Sequence, residues 1–72
     1  MASLRPLREF QPTDPSLPSM LQVYRLRALL RLADVARLAD VTEEALRLYE
    51  HGRDIPSISE LQRLVLVLDP SE

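Results

Sequence analysis

The chain of 72 residues has no cysteine, no tryptophan and no lysine, and only one glycine and one histidine. Each absence removes a class of function. Without cysteine there is neither a disulfide framework nor a thiolate zinc site, and the lone His51 supplies no histidine cluster for another metal. A single glycine, Gly52, rules out the glycine-rich loops that cradle phosphate. No apolar run reaches the roughly 18 residues of a membrane span, and no signal-peptide apolar region opens the chain. No nucleophile–base pair is visible either, and the serines stand where helix caps belong. The expectation is a small cytoplasmic helical module that is not an enzyme and takes no metal, cofactor or small-molecule ligand.

What is present is apolar surface and arginine. Hydrophobic residues make up 46% of the chain, fifteen of them Leu, which is too many for a disordered segment. The length accommodates one small domain. All nine cations are Arg, against eleven Asp and Glu, for a net charge of −2. Within residues 1–18 the charges cancel, and within 19–57 they cancel again. A nucleic-acid binder normally carries a basic face. Here such a face can come only from how the arginines are arranged.

Along the chain, Pro6, Pro12, Pro15 and Pro18 recur too often for a helix, so residues 1–18 read as an extended, partly polyproline-like arm. Leu4, Leu7 and Phe10 are its groups available for docking. Ser19 and Gln22 have the spacing of a capping box, and Leu21, Tyr24 and Ala28 share a helical face, predicting a helix over about 19–28. Residues 29–39 contain only helix formers. Either one long helix or two helices with a tight corner near Leu29–Arg31 is compatible with them. Asp40 marks a stop, Thr42 caps a helix with Glu43 and Glu44 in its first turn, and Gly52 ends it. Ser57 and Glu60 form a capping box opening a helix over about 58–68, which Asp69-Pro70 closes. Tyr24 and Tyr49 are expected in the core and His51 at a solvated helix end. The predicted organisation is an arm at 1–18, a domain at 19–69 and a tail at 70–72.

Two helices joined by a short turn at Ala39–Val41 have helix-turn-helix geometry. The stretch VARLADVTEEALRLYEHGRDIPSISELQRLVLVL resembles the Cro and lambda-repressor-like (XRE-type) DNA-binding domain. Val35-Ala36, Val41-Thr42, Leu46, Glu50 and Gly52, Pro56-Ser57, Leu61 and Leu64 fall at that family's spacing. Leu21, Tyr24 and Arg25 fit its first helix. The resemblance spans about residues 21–68 and implies an all-α, four-helix domain, with room for one further truncated helix. VARLADVTEEALRLYEHG also resembles the start of a MerR-type domain, but a helix precedes it here and no basic wing follows. The departures from the XRE pattern lie where function would be. Leu29, Leu30, Arg31 and Leu32 stand where that family often has Gly-Leu-Ser-Gln, and Asp40 replaces Gly.

The resemblance implies a transcriptional regulator that inserts helix 42–50 into the major groove of duplex DNA as a dimer. Thr42 would cap that helix, Arg31, Arg47 and Arg53 would hold phosphates, and Glu43 and Glu44 would face the bases. First-turn acids also stabilise a helix with no further purpose. A rival reading makes the fold a protein-binding module, an antirepressor or transcription-machinery accessory factor, using Leu32 and Leu48. The last helix is apolar all round at Leu64, Val65, Leu66, Val67 and Leu68, and Leu26 and Leu29 are surplus to a four-helix core. A chain this short does not bury them all by itself, so a second copy, a protein partner or the N-terminal arm is expected to cover them, with the last helix the first choice for a dimer interface.

Overall fold

The computed structural model describes residues 5–70, in which a 3₁₀ turn at Leu7–Glu9 precedes four helices: α1 (Leu17–Arg27), α2 (Leu32–Ala39), α3 (Glu43–Glu50) and α4 (Ile58–Leu68). No strand occurs among the described residues, and the fold is all-α as the sequence predicts. Leu4 and residues 71 and 72 lie outside the described residues.

Helix starts follow local chemistry. Thr42 Oγ1 accepts from Ala45 N–H at 3.0 Å, and Ser57 with Glu60 forms the reciprocal box at 3.0 and 2.9 Å. Asp34 reaches back to Arg31 N–H at 3.2 Å at the start of α2. The expected Ser19–Gln22 box does not form. Helix α1 begins two residues earlier, at Leu17, with Pro18 in its first turn, where a missing N–H leaves nothing unsatisfied. Ser19 bonds the Ser16 carbonyl instead, and Gln22 is engaged with α3.

Three helices end in the same way. After α1, α2 and α3 one residue turns left-handed: Leu29 (φ 60°), Asp40 (φ 59°) and Gly52 (φ 70°). In each case the next N–H bonds five residues back, Leu30 to Arg25 at 3.2 Å, Val41 to Ala36 at 2.9 Å and Arg53 to Leu48 at 2.9 Å. These are Schellman caps. Of the two readings left open for residues 29–39, two helices with a corner is correct. Gly takes this conformation freely and Asp tolerates it, but Leu29 carries a strain of about 1 kcal/mol.

The segment expected to be an extended arm is folded. Its 3₁₀ turn buries Leu7 completely, and Phe10 and Leu17 join the core formed by Leu21, Val35, Leu46 and Leu64. Two hydrogen bonds tie it to the domain and one contact braces it internally. Leu7 N–H donates to Asp69 Oδ2 at 2.9 Å, Tyr24 Oη donates to the Arg5 carbonyl at 2.9 Å, and the Arg5 guanidinium lies 4.2 Å from the Phe10 ring centroid. Prolines kept this segment from forming a regular helix, but the domain requires its apolar side chains as core.

Leu7→Ala should therefore destabilise the protein by about 2–4 kcal/mol, the range for a fully buried leucine. Urea unfolding followed by circular dichroism measures it. A loosely attached arm would give a change within about 0.5 kcal/mol.

Candidate nucleic-acid interface

Helix α3 is two-sided. Leu46, Tyr49 and Glu50 face the interior, while Glu43, Glu44 and Arg47 are exposed. Its position is held at both ends. At the N-terminus the Thr42 cap fixes where the first turn begins. At the C-terminus Glu50, only 4% exposed, receives Arg25 Nε at 2.8 Å and Arg25 Nη2 at 3.0 Å, a bidentate pair from α1. The third guanidinium nitrogen, Nη1, donates to the Leu30 carbonyl at 3.2 Å, so the same side chain also braces the corner between α1 and α2. Gln22 Nε2 donates to the Glu50 carbonyl. Tyr49 Oη donates to Glu60 at 2.8 Å, locking α3 to the start of α4.

The flanking cations divide into engaged and available. Arg63 caps the end of α2, donating to the Ala39 carbonyl at 2.8 Å, and is structural. Arg31 sits at the N-cap of α2 with its side chain 85% exposed and its Nε 3.3 Å from Asp34. Arg37 reaches the same carboxylate at 3.7 Å. Arg53 is exposed immediately after the reversal at Gly52. The structure thus places Arg31 at the head of α2, Thr42 at the N-cap of α3, Glu43, Glu44 and Arg47 on α3, and Arg53 just beyond it. This is one continuous helix–turn–helix segment.

The apolar candidates fare differently. Leu64 and Leu68, expected to face a partner, are buried in the domain's own core at 0% and 5% exposure. Val65 and Val67 are half-buried and packed against that core. Of these five residues Leu66, 69% exposed, is the one free on the outer face. The continuous apolar run arises because α4 packs against both α2 and the arm, so two of its faces are internal. Leu32 packs against the core and Leu48 is half-buried, so neither forms a projecting apolar patch. Tyr49 is buried and Tyr24 half-buried, as expected for core aromatics, and His51 is exposed at the C-cap of α3. The Arg25–Glu50 pair was not predicted. Glu50 follows Leu46 by four and Tyr49 by one, on the buried stripe, and an acid there demands a cation.

Two groups are shifted from their ordinary values here. Ser57 N–H, and then the Tyr49 hydroxyl, hold the Glu60 carboxyl below the usual glutamate range. Burial, reinforced by the Glu60 carboxylate, pushes the Tyr49 hydroxyl up to about 12. No group of three or more His, Cys, Asp or Glu that could hold a metal occurs among the described residues, and no helix there is long and apolar enough to cross a membrane. A family model described as a helix-turn-helix domain matches residues 19–71. No curated protein and no solved structure matches the chain.

Glu50→Ala should cost about 3 kcal/mol, because it leaves the Arg25 guanidinium unpaired and largely desolvated. Urea titration of Glu50→Ala, Arg25→Ala and the double variant isolates the coupling. Glu60 has its pKa depressed by folding, so the stability it contributes is full above the ordinary glutamate pKa. That contribution is lost as pH falls through the depressed value. Acid unfolding of Glu60→Gln should show a shallower dependence on pH in that window than the parent.

Proposed function

As a member of the helix-turn-helix domain family, the chain belongs to a class of DNA-binding regulators, and we propose that it is an XRE-like, sequence-specific transcriptional regulator reading the major groove with α3. The observation that carries this reading is the outward face of α3. Glu43, Glu44 and Arg47 stand exposed on a helix whose opposite face is anchored by Leu46, Tyr49 and the Glu50–Arg25 pair. Arg47 suits guanine O6 and N7 or a phosphate, and the two glutamates suit cytosine N4. Arg31 and Arg53, before and after this segment, are the phosphate contacts. With so few available cations the salt dependence is shallow.

The protein acts as a dimer that spans two half-sites about 34 Å apart. Its contact surface is the outer face of α4. There Leu66 and Ile58, 69% and 65% exposed, stand beside an apolar hollow of about 440 Å³ floored by Leu61 and Val65. A two-fold interface needs projection and recess on the same patch, and this patch has both. Arg8 and Asp69 on its rim leave it without net charge. Leu64 and Leu68, buried in each protomer, support that surface from beneath.

Selection from random duplex DNA, repeated at physiological salt, should enrich a two-fold symmetric site. Arg47→Ala should weaken binding to that site about tenfold or more and relax preference at one base pair, whereas Arg53→Ala should lower the salt slope by about 1. Leu66→Arg should give a monomer by sedimentation and lose the two-site affinity. Enrichment of no sequence would overturn the reading.

A further inference from the structure

The corner between α1 and α2 has two costs and no visible return inside the domain. Leu29 holds φ 60°, a conformation suited to glycine, and its side chain is 91% exposed. A glycine there would remove the strain and withdraw an apolar side chain from water. The cap itself does not require leucine, since its bonds, Leu29 N–H to Leu26 O at 3.1 Å and Leu30 N–H to Arg25 O, are all backbone. One turn back, Leu26 is 61% exposed. These two leucines project at the end of a helix whose own core contacts come from Leu17 and Leu21. Local strain combined with exposed apolar surface is the pattern of a position kept for contact with something outside the domain.

Charge identifies the kind of partner. The leucines are interleaved with Arg27, exposed, and Arg31, 85% exposed in its side chain. Arg37 lies beyond them on α2, and the acid associated with this group is Asp34, shared between Arg31 and Arg37. Along residues 26–37 three cations therefore stand against one anion, in the same stretch as the two leucines. It differs from the outer face of α4, where the charges balance. An apolar patch ringed by cations fits an amphipathic helix with leucines along one stripe and carboxylates beside them.

We propose that Leu26 and Leu29, framed by Arg27 and Arg31, form a docking surface for an acidic amphipathic helix of a partner protein. The surface is separate from the α4 face, and the proposal holds whether or not α3 reads DNA. Because Arg31 heads α2, a helix seated there also covers a cation that the DNA reading assigns to phosphate.

The test uses the full chain labelled with nitrogen-15 and a synthetic helical peptide bearing leucines on one stripe and glutamates on its flanks. A second peptide carries lysines in place of the glutamates. Amide shifts at residues 26–31 are expected with the glutamate peptide and not with the lysine peptide. Leu29→Gly should raise the melting temperature by a few degrees while weakening the peptide at least about tenfold. Arg27→Glu should weaken it without changing the fold. Equal binding of both peptides, shifts centred on α4 or α3, or Leu29→Gly that binds unchanged would each overturn the proposal. Preference for anionic lipid vesicles over the glutamate peptide would also overturn it.

Discussion

The bidentate pair between Arg25 and Glu50 is the constraint on which the arrangement of the helices depends. One guanidinium reaches α3 through two nitrogens and the α1–α2 corner through the third. A buried ion pair is a poor source of net stability, since desolvating both charges offsets most of their attraction. Its consequence is geometric. A planar fork meeting a carboxylate permits one relative placement of α1 and α3, whereas leucine against leucine permits several. The Gln22 bond to the Glu50 carbonyl and the Tyr49 bond to Glu60 add two directional ties at the same end of α3. The outward face of α3 is presented by a helix with little freedom to roll.

The three left-handed caps show how little chain the fold uses for its reversals. Leu29, Asp40 and Gly52 end their helices with the same pair of backbone bonds, so the connections between α1, α2 and α3 need only a few residues. The cap at Asp40 is reinforced from α4 by Arg63, which removes that arginine from the available charge. The one at Gly52 places Pro18 3.5 Å from where a side chain would begin, an ordinary van der Waals separation, so a larger residue there meets backbone strain at φ 70° but no clash. At Leu29 the Arg25 guanidinium braces the following Leu30 carbonyl at 3.2 Å, but nothing there calls for a leucine side chain and the strain remains.

Most of the fold was legible in the sequence because its signals are local. Thr42, Ser57 with Glu60, and Gly52 mark boundaries through contacts within a few residues, and the structure places helix ends beside them. The arm was legible in part. Its prolines exclude a regular helix and its Leu7 and Phe10 were expected to dock, but that they and Leu17 complete the domain's own core depends on non-local packing. The same non-local packing explains the misreading of Leu64 and Leu68. An unbroken run of leucine and valine looks like surplus surface until the arm covers a second face of α4. On α3 the exposed Glu43, Glu44 and Arg47 followed from the family resemblance, whereas the partner of Glu50 lies 25 residues away on α1 and leaves no periodic trace.

The near-neutral charge of the reading segment has a consequence if α3 enters DNA. Two glutamates at the mouth of an anionic groove oppose binding to any sequence, because phosphate repulsion does not depend on the base pair. They recover that loss only where a cytosine amino group is placed to donate to them. Acids at these positions therefore depress non-specific affinity more than specific affinity, and the ratio between the two widens even as both weaken. A domain with many free cations would gain affinity at every site. Here Arg63 and Arg25 are engaged in holding helices, and Arg31 and Arg37 share Asp34, so little sequence-independent attraction remains. Discrimination then rests on how rigidly α3 is held, which returns the burden to the pair between Arg25 and Glu50.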